Sequence, residues 1–144
     1  MLRSLKEIEI GCHELGLPFT LQRQAILGVL VGAEDHPTAD EVHARLDTAH
    51  SKIARATVFR TLETFAEYGL IQRVPHPGSS ARYDAIVHRH HHLVCDHCGA
   101  IHDLEDARLS RIKLPETTSH GFTVTDYSIH LRGQCADCAR NSEL

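Results

Sequence analysis

Residues 90–104 read HHHLVCDHCGAIHDL and carry more structural information than any other segment of the chain. Cys95 and Cys98 are separated by two residues, a spacing that lets both thiolates face one ion. Apolar residues flank this pair on both sides, so the segment predicts two strands joined by a metal-binding knuckle. A second Cys-X-X-Cys pair follows at Cys135 and Cys138. Four thiolates form a closed tetrahedral shell, and the sequence therefore predicts a structural zinc ion.

Two disulfides or buried thiols are the alternatives for these four cysteines, and a single pair would leave the choice open. Two matched pairs in a chain with 5 cysteines favour zinc. The fifth, Cys12, lies on the apolar face of a predicted helix. We interpret it as a small core residue.

The first half of the sequence predicts four helices. Apolar residues recur at helical spacing over residues 5–15, and Thr20 can cap a second helix. Thr38 and Glu41 form a capping box for a third helix. A fourth helix is predicted over residues 55–69, where a glycine ends it.

Two extended segments follow, residues 70–75 and 81–87, on either side of a Pro-Gly-Ser-Ser turn at residues 77–80. This pattern predicts a β-hairpin. Helices followed by a hairpin form the plan of a winged helix-turn-helix. Further along the chain, residues 105–114 have a helical pattern, and residues 122–131 predict a long strand with a phase break.

Histidine is unusually frequent, with 13 residues in the chain. His90 and His92 alternate along a predicted strand, so both point to one face and can share an ion, while His91 faces the other way. Imidazoles beside carboxylates suit iron, manganese or zinc. A His-X-His segment taken alone is equally compatible with a polar strand face.

The amino-acid composition limits the classes of protein to which the chain can belong. Hydrophobic residues make up 42% of the chain and charged residues 24%, which is typical of a soluble globular protein. The net charge is −4 and neither half is basic, so any DNA contact must come from a local group of cations. No apolar run reaches the length of a membrane span, and the N-terminal residues lack the pattern of a signal peptide. We therefore expect a cytoplasmic protein.

Three stretches resemble the signature motifs of the ferric uptake regulator family, and they occur in the order found in that family. They are residues 36–42 (HPTADEV), 56–62 (ATVFRTL) and 90–99 (HHHLVCDHCG). The resemblance implies an α+β fold, with a winged helix-turn-helix at residues 1–83 and a small α/β dimerisation domain at residues 84–144. It also implies a homodimer that binds a palindromic operator in double-stranded DNA.

The peroxide-sensing branch of this family holds a regulatory iron or manganese ion on three histidines and two aspartates. The resemblance places these ligands at His36, Asp84, His90, His92 and Asp103. Asp103 stands where iron-sensing members usually have glutamate, which favours peroxide sensing. The resemblance further implies that peroxide oxidises His36 and His90.

An ion on all five ligands would join the DNA-binding half to the dimerisation half across a hinge at about residues 82–90. Metal binding and DNA binding would then be linked. A further metal site of the family is not reproduced, because Arg89, Ser110 and Tyr127 occupy its expected ligand positions. One regulatory site is therefore expected.

The fourth helix is the expected DNA reader. Arg60 is suited to guanine, and Thr57 and Phe59 to thymine methyl groups. The remaining candidates for DNA contact are Arg23, Lys52 and Arg55. An ordinary solvated helix face is the alternative. Phe59 stands where the family usually has tyrosine, and Ala54 stands where a capping serine is common, a difference of about 1 kcal/mol.

Three other functions compete with that of a peroxide-responsive repressor. A zinc deaminase also combines histidine with Cys-X-X-Cys, but it needs a His-X-Glu segment, and here Leu93 and Val94 follow the histidines. A thiol oxidoreductase needs one exposed pair rather than two matched pairs. Within the family, the alternative is an iron- or manganese-responsive uptake repressor that does not sense peroxide. We expect a regulator and not an enzyme.

Overall fold

The computed structural model describes residues 4–50, 52–74, 80–85 and 90–142. The chain forms two compact units, residues 1–87 and residues 88–144. The domain boundary at residues 83 and 84 and the hinge at about 82–90 stay predictions. No helix in the described part of the chain is both long enough and apolar enough to cross a membrane.

Four helices make up most of the first unit: α1 (Leu5–Leu15), α2 (Leu21–Val31), α3 (Ala39–Ala44) and α4 (Arg55–Glu67). The predicted caps are present, since the Thr20 side chain accepts from the Arg23 N–H and the Thr38 side chain from the Glu41 N–H. The N-cap residue of helix α4 is Ala54, which provides no side-chain cap, as the sequence predicts. Local signals therefore determine where these helices begin.

The core of the first unit lies among the helices and reaches the hairpin. One face of α4 is fully buried, with Val58, Leu62 and Phe65 at 0% exposure. The Phe65 ring lies 6.3 Å from that of Phe19. Burying side chains of this size contributes about 1.5–3 kcal/mol each, so α4 is held against the core by packing even though its start is uncapped.

The predicted hairpin consists of β1 (Gln72–Val74) and β2 (Arg82–Asp84), which pair antiparallel. Of its predicted turn, only Ser80 lies within the described residues. Strand β2 also contacts the segment before α3, because Arg82 forms a β-bridge with Thr38. Helices α1–α4 with this hairpin form the winged helix-turn-helix that the sequence predicts.

The second unit contains a sheet with strand order β4-β3-β5. Its strands are β3 (His91–Cys95), β4 (Ile101–Leu104) and β5 (His130–Gly133). Strand β3 pairs antiparallel with β4 and parallel with β5. The turn between β3 and β4 is the predicted knuckle, and Gly99 ends it at φ 77°. A helix that the sequence reading missed, α5 (Ala136–Ser142), follows β5.

The predicted helix over residues 105–114 is wrong, because only a 3-10 turn forms there, at Leu109–Arg111. The hydroxyl group of Tyr127 explains the difference. It donates to the Leu109 carbonyl at 2.7 Å and accepts from the Ile112 N–H at 3.2 Å. Both backbone groups would be needed for the ladder of a continuing helix.

The predicted long strand over residues 122–131 is also wrong, since only its last two residues belong to β5. Phe122 is 69% exposed and Val124 45% exposed. A strand gains its stability from packing on a half-buried surface, and among the described residues nothing covers Phe122 and Val124 to that extent. Its alternating apolar pattern therefore does not produce a strand.

Candidate metal centres and DNA-reading surface

The four cysteines of the two pairs lie together in the second unit, with their ligand atoms all within 4.8 Å of one another. The Sγ atoms of Cys95 and Cys138 are 3.8 Å apart, and so are those of Cys98 and Cys135. A disulfide would need about 2.05 Å. Sulfur atoms at about 2.3 Å from a tetrahedral zinc ion are about 3.8 Å from each other. The arrangement fits a zinc ion and not two disulfides.

Secondary structure brings the two pairs together. Cys95 ends β3, Cys135 follows β5, and Cys138 lies in the first turn of α5. The Asp96 N–H donates to the Gly133 carbonyl at 2.9 Å, which holds the knuckle against the end of β5. The parallel pairing of β3 with β5 is therefore the feature that the spacing of the cysteines did not show.

The protein environment favours the ionised form of one of the four cysteines, Cys95. Backbone N–H groups of Cys98 and Cys135 lower the pKa of Cys95 to about 6. The neighbouring sulfur atoms, Cys135 first, raise the pKa of Cys138. Four sulfur atoms this close cannot all ionise without a cation between them. The donor set therefore matches a divalent ion that binds thiolates.

The first unit pairs a histidine with an aspartate. His36 Nε2 lies 3.2 Å from Asp84 Oδ2, and both residues are buried. His36 has a φ of 51°, a left-handed conformation that is rare for a residue with a side chain. Arg82 Nη1 donates to the His36 carbonyl at 3.2 Å, and the Tyr83 N–H donates to the Pro37 carbonyl at 3.0 Å. Strand β2 thus holds both partners of the pair.

The second unit gathers two histidines around one carboxylate. His90 Nε2 lies 3.1 Å and His92 Nε2 3.4 Å from the same oxygen, Asp103 Oδ1. Asp103 is the cross-strand partner of His92 in the β3–β4 pair. Two donor atoms that bind one ion at right angles, each at about 2.1 Å, are about 3 Å from each other. The distances from Asp103 to His90 and His92, and from His36 to Asp84, are close to this value, so both groups of side chains are suited to bind a metal ion.

His91 faces the other way, as the strand alternation predicts, and is fully buried. Its Nδ1 accepts from the Ile129 N–H at 3.0 Å, so Nε2 carries the proton and donates to Ser110 Oγ at 3.1 Å. The ring also stacks on Tyr127 at 6.0 Å. Ser110 is therefore hydrogen-bonded to His91 and Tyr127 is stacked on it, at two of the positions where the resemblance places the further metal site. Arg89 lies outside the described residues.

His130 has a role that the sequence reading did not identify. It is the β5 partner of His92 in the sheet, and the two rings are 5.0 Å apart. Burial, followed by the neighbouring His92, lowers the pKa of His130, which keeps this imidazole neutral. The parallel pairing of β3 with β5 was the missing signal.

Five of the six predicted DNA-contact residues line two grooves of the first unit. One groove of about 360 Å³ is lined by Arg23 and Arg60 together with the side chains of Thr20, Gln22, Thr57, Thr61 and Thr64. Arg23 is already engaged, because it donates to the Pro18 carbonyl at 2.7 Å and lies over the Phe65 ring. Sequence reading did not reveal that engagement.

The second groove, of about 320 Å³, is lined in part by Arg55 and Phe59. Arg55 forms an ion pair with Asp40 at 2.7 Å, and Phe59 is 50% exposed. Lys52, the last predicted contact, is exposed. The exposed face of α4 therefore presents the cations and apolar groups that base and phosphate contacts require.

Comparison with known proteins gives a consistent result. The model of the ferric uptake regulator family matches residues 14–132. The peroxide-responsive repressor PerR of Staphylococcus saprophyticus is 35% identical over 123 residues, covering 85% of this chain and 83% of that protein. Two solved ferric uptake regulators share the fold. The one from Pseudomonas aeruginosa, with manganese, is 30% identical at a TM-score of 0.69 and covers 89% of this chain and 97% of its own. The one from Vibrio cholerae, described for a rearrangement of its DNA-binding domains, is 29% identical at a TM-score of 0.67. The match covers 88% of this chain and 98% of that one.

A winged helix followed by a four-cysteine cluster and a histidine–aspartate donor set defines a metal-binding protein of the regulator type. The chain belongs to the ferric uptake regulator family. Its donor sets fit a structural zinc ion and a regulatory iron or manganese ion.

Proposed function

We propose that this chain is a metal-dependent, peroxide-responsive transcriptional repressor. It acts in the cytoplasm as a homodimer on a palindromic operator in double-stranded DNA. The observation that carries the proposal is the carboxylate of Asp103, which faces two imidazole nitrogens at ligand distances. Cys95, Cys98, Cys135 and Cys138 hold zinc, and His36, Asp84, His90, His92 and Asp103 together hold iron or manganese.

The proposed switch follows from the position of these ligands in the chain. His36 and Asp84 belong to the first compact unit, and the other three ligands belong to the second. An ion bound by all five would fix one relative orientation of the units. If only that orientation fits both recognition helices of a dimer into successive major grooves, metal and DNA each strengthen the binding of the other.

A regulator fits the donor set better than an enzyme does. A zinc deaminase would need a glutamate placed as a proton shuttle after a ligand histidine, and here Leu93 and Val94 continue the strand. The sulfur shell is closed, so it offers no position to a substrate. The regulatory relatives support the same conclusion.

Peroxide sensing is favoured over iron or manganese uptake control for two reasons. The ligand at residue 103 is aspartate, whose shorter side chain holds the carboxylate close to His90 and His92. The S. saprophyticus relative, in addition, is a peroxide-responsive repressor. The uptake repressor is the alternative within the family.

Metal dependence tests the proposal directly. Protein that retains zinc but is stripped of the regulatory metal should bind its operator about 10- to 100-fold more weakly than protein reloaded with Mn²⁺, because the coupling between two such sites is about 1–3 kcal/mol. Fluorescence anisotropy with an operator duplex, and with a shuffled duplex as control, measures the ratio. Equal affinity for the two metal states would contradict the proposed switch.

Two arginine substitutions should separate base reading from phosphate binding. Arg60→Ala should lose about 1–3 kcal/mol of discrimination between operator and shuffled duplex, the size of one bidentate guanine contact. Arg23→Ala should weaken the binding of both duplexes by the same factor. It should also reduce the slope of log K against log salt concentration by about 1. Titrations at four salt concentrations distinguish these results. Because Arg23 also contacts Pro18 and Phe65, thermal unfolding of each variant serves as the control.

A further inference from the structure

A polar cluster inside the first unit joins the hairpin to helix α4. The buried Tyr83 hydroxyl donates to Glu63 Oε1 at 2.6 Å, and Arg73 forms an ion pair with Glu63 Oε2. Arg73 and Tyr83 are direct partners across the β1–β2 pair. Both strands of the hairpin therefore meet on a single carboxylate of α4.

The same strand carries the candidate metal ligands of this unit. Asp84 follows Tyr83 in β2, and the Tyr83 N–H holds the Pro37 carbonyl beside His36 at 3.0 Å. Tyr83 thus contacts the His36 segment through its backbone and α4 through its side chain. A shift of β2 that accompanies metal binding at Asp84 must move both contacts.

The hydrogen bond to Glu63 is well suited to transmit such a shift. The Tyr83 ring is only 1% exposed, and Glu63 is largely enclosed. The phenol donates to this enclosed carboxylate at 2.6 Å, so the contact depends on the hydroxyl group of Tyr83. Glu63 lies one helical turn after Arg60, the candidate base-reading residue, so a displacement of its carboxylate acts on the same part of α4.

We propose that Tyr83 and Glu63 are positioning residues that couple the His36–Asp84 pair to the DNA-reading helix α4. Their hydrogen bond transmits occupation of the regulatory site to the recognition surface. This inference rests on the proposed function, because it explains how a metal-dependent repressor would change its DNA affinity.

Tyr83→Phe tests the coupling, since it removes the hydroxyl and keeps the buried ring. The quantity to measure is the ratio of operator affinities in the Mn²⁺-loaded and stripped states. We expect this ratio to fall about 10-fold, while Mn²⁺ affinity in the absence of DNA stays within about two-fold of wild type. Glu63→Gln should lower the ratio as well, because the single amide oxygen can face Tyr83 or Arg73 but not both.

Tyr68→Phe is the matched control. Tyr68 caps the same helix and is 51% exposed, so loss of its hydroxyl should leave the ratio unchanged. If Tyr83→Phe weakens DNA binding equally in both metal states, its role is structural only and the inference is wrong. An unchanged ratio overturns it as well, while a wild-type protein whose operator affinity is the same in both metal states overturns the proposed function itself.

Discussion

Cys95→Ser protein is expected to lose its zinc, the fold of residues 88–144 and the dimer together. Cys95 ends the central strand β3 and contributes to the cluster that also holds the first turn of α5. Zinc binding to four such ligands provides about 10–16 kcal/mol at neutral pH, which equals or exceeds the stability of a typical domain, about 5–15 kcal/mol. A hydroxyl group cannot replace the thiolate at this site.

Zinc content by elemental analysis, oligomeric state by sedimentation and amide hydrogen exchange of the strands β3–β5 report on the three losses. Cys12→Ser provides the control, because Cys12 is a buried cysteine of the first unit outside the cluster. This control should keep its zinc and its dimer and lose only about 1–3 kcal/mol of stability for burying a hydroxyl group. A Cys95→Ser protein that stays dimeric with full zinc content would refute the prediction.

The helices of the first unit were predictable because their signals are local. Thr20 and Thr38 cap helices at the positions that the sequence indicates, and each cap involves a residue three positions away. The hairpin could also be recognised from its turn residues. These features require no knowledge of which distant segments meet.

The second unit was harder to predict because distant contacts override its local patterns. Residues 105–114 have a helical pattern, yet the Tyr127 hydroxyl holds the backbone of Leu109 and Ile112 in another conformation. Residues 122–131 alternate like a strand, but Phe122 and Val124 at the start of the segment remain exposed in the described structure. Both errors arise from tertiary structure that periodicity does not encode.

The candidate site shows the same division. Strand alternation was enough to predict that His90 and His92 share a face, and their rings are 4.6 Å apart. The hydrogen bond between Tyr83 and Glu63 and the position of Arg23 over the Phe65 ring could not be predicted, because they depend on how α4 packs against the hairpin and α2. Residue type and spacing identify ligands, but the contacts that position them come from the fold.

Peroxide should inactivate the iron-loaded repressor by damaging its own ligands. Ferrous iron held by these ligands would reduce hydrogen peroxide beside the imidazoles. In the net reaction, one ring C–H and one molecule of hydrogen peroxide would give one oxygenated histidine and one molecule of water. Both His36 and His90 are at least 95% buried, so an oxidant formed there reacts with these rings before it reaches solvent. Losing His36 as a ligand would release the first unit from the ion and so lower DNA affinity.

A brief peroxide pulse on iron-loaded protein should therefore add one oxygen atom to His36 and to His90, and operator affinity should fall about 10- to 100-fold toward the stripped state. Peptide mass spectrometry and anisotropy on the same sample measure both effects. Manganese-loaded protein is the matched control and should keep its mass and its affinity, because manganese does not readily carry out this chemistry. In the Asp103→Glu variant, the same pulse should cause a smaller loss of operator affinity, because the longer side chain displaces the carboxylate that His90 and His92 share. Unmodified His36 and His90 peptides, or DNA binding that survives the pulse, would favour the uptake repressor instead.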